Sequence, residues 1–205
     1  NNGEKIEYTN LADMAVEGMN AGSPQVYAPA FTNYVEGIYV GYKYYETAAQ
    51  EGFIDYDKTV QYPFGYGLSY TEFEQKMGEL EEKDGQISVD VEVTNTGDVA
   101  GKDVVEVYYK PPYTNGGIEK SSANLIEFAK TDLLQPGESQ TVTVTFSIED
   151  MASYDENNAK AYVLEKGDYV ISINSDSHTV LDQKTYTADK DVVYKGENKR
   201  SSDDT

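Results

Sequence analysis

The sequence predicts a mainly β protein, a sandwich of short antiparallel strands preceded by a partly helical N-terminal segment. Two observations carry this. From about Gln86 to Tyr186 apolar and polar residues alternate in short runs separated by turn residues, the period of half-buried strands. Before about Tyr70 the apolar residues instead recur at intervals of three and four, the period of a helix.

In the first region, Asn10 is placed to cap a short helix over Leu11 to Met19, ended by Asn20-Ala21-Gly22. Ser23 to Pro29 reads as extended or turn-like, because proline restricts itself and its predecessor. Asn33 is placed to cap a second helix, with Glu36 reaching back and Val35, Ile38, Tyr42 and Tyr45 forming one buried stripe. Gly37 and Gly41 then fall inside that helix, at a cost of about 1 kcal/mol each relative to alanine. A close backbone contact is the expected compensation, and Gly52 is the expected stop.

The second region opens with Ile87, Val89, Val91 and Val93 alternating with polar residues, followed by the turn Asn95-Thr96-Gly97-Asp98. Val104 to Tyr109 is the next strand, ended by Pro111-Pro112, and another falls within Leu125 to Leu134. Gln135-Pro136-Gly137-Glu138 is a turn signal, and Thr141 to Phe146 alternates again. After a short turn at Ile148 to Tyr154, Ala161 to Leu164 and Tyr169 to Ile173 flank Glu165-Lys166-Gly167-Asp168 as an expected hairpin. Val180 to Tyr186 closes the sheet. About seven short strands in about a hundred residues describe an immunoglobulin/fibronectin type III-like β-sandwich. With no Cys and no Trp, the fibronectin type III-like version fits better than the antibody type. The expected division is residues 1–80, residues 81–188 as the sandwich, and a charged tail from Asp189 to Thr205 read as a linker or disordered end.

Composition excludes several functions. With 37 acidic against 16 basic residues, the formal net charge is −21, which repels phosphate backbones and anionic headgroups. Neither nucleic acid nor membrane is an expected partner, whereas neutral sugars are compatible. No stretch approaches the ~18 apolar residues of a membrane span. No signal peptide is visible, Asn1 need not be a natural start, and the chain reads as a cut-out, so cytoplasmic and secreted bacterial locations both stay open.

Candidate sites are sparse. His178, the only histidine, reads as a surface loop residue; a general base would need an orienting partner and a nucleophile in reach. Asp55 with Asp57, and Asp155 with Glu156 and Asn157, have the oxygen ligands for Ca²⁺ but not the EF-hand pattern, and read as solvated loops. Gly65 and Gly67 read as allowing a tight turn under tyrosines, not as a phosphate cradle. Among the 19 tyrosines, Tyr108, Tyr109 and Tyr113 are candidates for stacking on a sugar. Tyr62, Phe64, Tyr66 and Tyr70 are expected to glue the first region to the sandwich. The loop Pro111 to Ser122, with Thr114-Asn115-Gly116-Gly117 at its tip, is long enough to reach a neighbouring module. No catalytic residue, metal ligand or cofactor is expected in the chain.

Three runs carry a family resemblance: YVEGIYVGYKYYE at Tyr34 to Glu46, QYPFGYGLSYTEF at Gln61 to Phe73, and VEVTNTGDVAGKDVVEVYY at Val91 to Tyr109, with LLQPGESQTVTVTF at Leu133 to Phe146 behind them. In that order they resemble the junction and fibronectin type III-like domain of family 3 glycoside hydrolases of the β-glucosidase type. The resemblance implies a retaining enzyme in which a barrel supplies an Asp nucleophile and an α/β sandwich the acid/base Glu. Residues 1–80 then resemble the end of the α/β sandwich and its junction loop. The barrel, and the Ser-Asp-Trp-like stretch around the family's nucleophile, are not in this sequence. The tail, with Val192-Val193-Tyr194 and Lys199 to Asp203, resembles members whose α/β sandwich and fibronectin-like domain precede the barrel. The expectation is an accessory part, inactive alone, that braces the catalytic modules of a chain acting on a β-linked glycoside. The rivals are an autonomous carbohydrate-binding module or a cell-surface spacer.

Overall fold

The structure, a computed structural model, describes residues 37–204. The expected helix over Leu11 to Met19, the extended stretch to Pro29 and the cap at Asn33 lie outside them. The chain divides after Gly37 into two units, and the second contains every element below.

In chain order these are α1 (Tyr42–Gln50), α2 (Tyr56–Thr59), β1 (Phe73–Lys83), β2 (Gln86–Asn95), β3 (Val104–Lys110), β4 (Asn124–Lys130) and β5 (Ser139–Ser147), then β6 (Ser153–Asp155), β7 (Ala161–Leu164), β8 (Gly167–Asn174), β9 (Val180–Ala188) and β10 (Val192–Tyr194). One sheet has the order β1-β2-β5 and the second β4-β3-β8-β9; a small third sheet runs β10-β7-β6. All the strand pairs are antiparallel.

The period-2 pattern determines which faces meet. Ile87, Val89, Val91 and Val93 of β2 are all buried, and Val89 and Val91 lie directly opposite Val144 and Val142 of β5. Across the sandwich β3 contributes Val105 and Val107, and β8 contributes Tyr169, Ile171 and Ile173; Met151, from the 3₁₀ turn Ile148–Met151, joins the same core. Removing these side chains from water at about 25 cal/mol per Å² is the dominant favourable term. The Gln135–Glu138 turn closes with the Glu138 N–H donating to the Gln135 carbonyl at 2.9 Å.

Four expectations change. The second helix begins only at Tyr42, because Gly37 and Gly41 both take φ near +59°. No atom lies within 4 Å of where a Cβ would sit on either, so these glycines provide left-handed backbone, not close packing. The helix does stop at Gly52, whose N–H bonds Ala49 O while the Phe53 N–H bonds Ala48 O, a Schellman ending. Next, β1 is a strand the sequence pattern does not show, and it crosses residue 80. Its alternation is broken by a bulge between Met77 and Leu80, and only Met77 is buried, so it reads as polar sequence.

The Ala161–Leu164 and Tyr169–Ile173 strands are not a hairpin. β7 pairs with β6 and β10, whereas β8 pairs with β3 and β9. The two residues between them turn a corner from one sheet to another, held by Tyr169 Oη donating to Glu165 O at 3.0 Å and the Lys166 N–H donating to Asp191 Oδ1 at 2.7 Å. Finally, the tail through residue 204 is docked. β10 pairs with β7, the Arg200 guanidinium sits 3.3 Å over the Tyr162 ring while holding Asp203, and the Ser201 N–H donates to Glu149.

Candidate functional site

The outward face of the four-stranded sheet is where residues 38–70 attach. Val105 and Val107 point into the core, so Glu106, Tyr108 and Lys110 face outward on β3, as do Val170, Ser172 and Asn174 on β8. Helix α1 lies over this face. Tyr42 Oη accepts the Leu125 N–H at 2.9 Å, and its ring stacks on Phe64 at 4.8 Å and meets Tyr108 edge-on at 6.2 Å. Thr47 Oγ1 accepts the Ser122 N–H at 3.0 Å. The segment between α2 and β1 crosses the same surface, where Phe64 O accepts the Ser177 N–H at 2.8 Å. Gly65 is needed there for two reasons: its φ is +87°, and a Cβ would stand 2.5 Å from a Glu106 carboxylate oxygen. Burial raises the Glu106 carboxyl above its usual range, opposed by the Tyr108 hydroxyl donating to it at 2.9 Å.

Glu46 is the centre of this attachment. Only 8% exposed, its carboxylate takes Tyr56 Oη at 2.6 Å and Ser177 Oγ at 2.8 Å on one oxygen, and His178 Nδ1 at 2.8 Å on the other. The His178 ring lies flat on Tyr56, centroids 3.7 Å apart. Burial, then donation to Glu46, raises the Tyr56 hydroxyl pKa. His178 is the surface loop residue the sequence suggests, on the β8–β9 connection and 42% exposed at its side chain, but it is tied to Glu46. It has an orienting carboxylate, but Ser177 Oγ donates to that same carboxylate and does not line up on the imidazole. Ser, His and Glu meet here as three groups sharing one anion, without the nucleophile-to-base hydrogen bond that acyl transfer needs. Sequence reasoning missed Glu46. Two of its three partners are 131 and 132 residues away, and nothing local marks it.

Two of the carboxylates considered for Ca²⁺, Asp55 and Asp155, serve as local acceptors. Asp55 caps α2, its carboxylate taking Lys58 Nζ at 2.5 Å. Asp155 is 7% exposed and accepts the N–H groups of Asn157, Asn158 and Ala159 at 2.8–3.1 Å. Those donors hold its carboxyl below the usual range. A folded pKa lower than the unfolded one gives stability present above the ordinary carboxylate pKa and lost as pH falls through the folded value. Asp155→Ala should therefore lower the unfolding midpoint at neutral pH, and the gap from the parent sequence should close on acidification. A gap independent of pH would show that the carboxylate is not the cause.

The tyrosines separate. Tyr108 is 2% exposed and Tyr109 packs against the core, so with Tyr113 they form no exposed planar set. Tyr113 instead lines a cleft of about 390 Å³ with Tyr39, Tyr44 and Phe53. The Pro111 to Ser122 loop is held by both the sandwich and the 38–70 segment: Lys120 pairs with Glu165 and donates to Pro112 O, while Tyr39 Oη donates to Glu119 and Ser122 bonds Thr47. Of the expected junction aromatics, Phe64 packs on Tyr42 and Tyr62 lies 5.2 Å from Tyr66, but Tyr70 is 98% exposed. A second cavity, of about 480 Å³, lies under α1 and α2 and reaches Asn174 and His178.

Comparison with known proteins places this geometry. A fibronectin type III-like domain model matches residues 103–177. β-Glucosidase A of Butyrivibrio fibrisolvens is 39% identical over 184 residues, covering 80% of this chain. The structure of β-glucosidase 3B from Thermotoga neapolitana, in complex with α-D-glucose, superposes with a TM-score of 0.68 at 36% identity over 80% of this chain. The GH3 β-glucosidase of Bifidobacterium adolescentis gives 0.64 at 31% over 75%. Over most of its length the chain is homologous to a part of the β-glucosidase-type family 3 glycoside hydrolases. It spans about a fifth of the length of those relatives, 21% in each of the three. The matching coverage reaches beyond residues 103–177, so the similarity extends past the fibronectin type III-like core of this chain. Among its described residues no helix is long and apolar enough to cross a membrane.

Proposed function

We propose that this chain is a non-catalytic accessory part of a β-glucosidase-type hydrolase, and that its 38–70 segment is the face that braces the catalytic modules. The observation that carries this is the exposure of that segment. Val40, Phe53, Tyr62, Phe64, Leu68 and Tyr70 are 50–98% exposed, within one stretch whose other side is fastened to the sandwich. Apolar surface concentrated in this way marks an interaction site. The rest of a chain about five times longer supplies the occupant.

In this reading residues 1–80 are the end of an α/β sandwich and its junction, residues 81–188 the fibronectin type III-like domain, and residues 189–205 a linker or tail that lies docked on that domain. β1 starts before residue 80 and carries the junction directly into the first sheet. The substrate is a β-linked glycoside, cleaved with retention by an Asp and a Glu supplied by the barrel and the α/β sandwich. Such cleavage needs two carboxyl groups about 5–5.5 Å apart. Among the described carboxylates, Glu46 and Asp155 are engaged in hydrogen bonds that hold the fold. Burial of Tyr108 and Tyr109 speaks against an autonomous carbohydrate-binding module built on those rings.

Two measurements test the proposal. The 205-residue chain should leave aryl β-glucosides intact while the longer chain containing it hydrolyses them. Leu68→Ser combined with Tyr70→Ser should leave the unfolding midpoint of the 205-residue chain unchanged, yet lower that of the longer chain by several degrees. Turnover by the short chain, or equal midpoints in the longer one, would overturn the reading.

A further inference from the structure

We infer that the outward face of the four-stranded sheet, beneath α1 and α2, carries a binding site for a neutral polyhydroxylated ring, a monosaccharide in chemical class. The cavity there has a volume of about 480 Å³, within the range of small-molecule sites. Its floor is the outward row of β8, from Val170 through Ser172 to Asn174, with Gln183 of β9 directly opposite Ser172. Gln50 of α1 stands over it, His178 closes one end and Lys110 the other.

Asn174 carries the inference. It is 2% exposed, yet its side-chain Oδ1 has no hydrogen-bond partner. Buried side-chain amides are almost always satisfied, because leaving one unpaired forfeits its hydration without compensation. An amide in that condition, lining a cavity of ligand size, is a group waiting for a donor.

The other lining groups select the class of ligand. Amides of Gln50, Gln183 and Asn174 each offer both a donor and an acceptor, the pattern that pairs with hydroxyls. With His178 Nδ1 bound to Glu46, its Nε2 is left for a ligand hydroxyl. A cation finds little here, because the Glu46 carboxylate already takes three donors. An anion would meet one lysine against the field of a chain of net charge −21. Ala49, Ile54 and Val170 provide apolar surface for the carbon face of a ring. This site stands independently of the bracing role, which uses the opposite side of the 38–70 segment.

The test is titration of the ¹⁵N-labelled 205-residue chain with D-glucose, with glycerol and inorganic phosphate as separate probes. Saturable shifts are expected for glucose at amides of β8, β9 and α1, with weaker response to glycerol and none to phosphate. Asn174→Leu should abolish them. Gln183→Leu, at an exposed position, should weaken glucose at least tenfold without moving the unfolding midpoint, and so decides the matter even where Asn174→Leu fails to fold. No saturable shift with glucose overturns the inference. So does binding unchanged in both variants, or phosphate or glycerol held as tightly as glucose.

Discussion

Asn95→Ala should destabilise the domain by about 4 kcal/mol, the largest loss expected of any polar substitution in the sandwich. Asn95 ends β2 with no exposed surface, and every polar atom of its side chain is occupied. Its Oδ1 accepts Thr71 Oγ1 at 2.7 Å and the Gly97 N–H at 3.1 Å, and its Nδ2 donates to Val99 O at 2.8 Å and Leu134 O at 2.9 Å. One amide thus ties the start of β1, the turn after β2 and the approach to β5. Alanine would remove all four bonds and leave the Val99 carbonyl and the Thr71 hydroxyl without those partners, whereas the Leu134 carbonyl keeps the Gly101 N–H and the Gly97 N–H keeps Glu72 O. Thr71→Val removes a single one of these bonds and should cost about 1 kcal/mol. Urea unfolding of the two variants measures the difference directly. Equal losses in both would show that the Asn95 network does not act as a junction.

Glu46→Leu should cost about 3 kcal/mol and act on one part of the molecule. Its carboxylate is the shared acceptor of Tyr56, Ser177 and His178, linking α1 and α2 to the β8–β9 connection. Leucine keeps the bulk but leaves three donors without an acceptor, one of them on the largely buried Ser177. The α1 amides should then lose hydrogen-exchange protection, while amides of β2, β5 and β8 keep theirs. Glu46→Gln retains an acceptor oxygen and should lose less. Uniform loss of protection throughout the sheets would show that the carboxylate supports the whole core and is no latch.

Much of the sandwich is legible in the chain itself. Ile87, Val89, Val91 and Val93 announce their buried face because side chains on a strand alternate with period 2, and Val142, Val144 and Phe146 do the same. The turn at Gln135–Glu138 and the stop at Gly52 are likewise written in local chemistry. β1 is hidden because its bulge breaks the alternation, and β6 and β10 because three residues are too few to show a period.

What the sequence determined was which faces would seek burial, where the chain would turn, and the family whose motifs it carries. Only the tertiary structure decided that β7 and β8 part into different sheets, and that Glu46 meets Ser177 and His178. It also decided that Asn174 Oδ1 is left without a partner beside a cavity and that Tyr70 stands outside the packing. The physical reason is range. Periodicity and turn chemistry act over a few residues and leave a mark on the local sequence. A carboxylate's choice of partner 131 residues away depends on the docking of whole elements, and no local pattern records it.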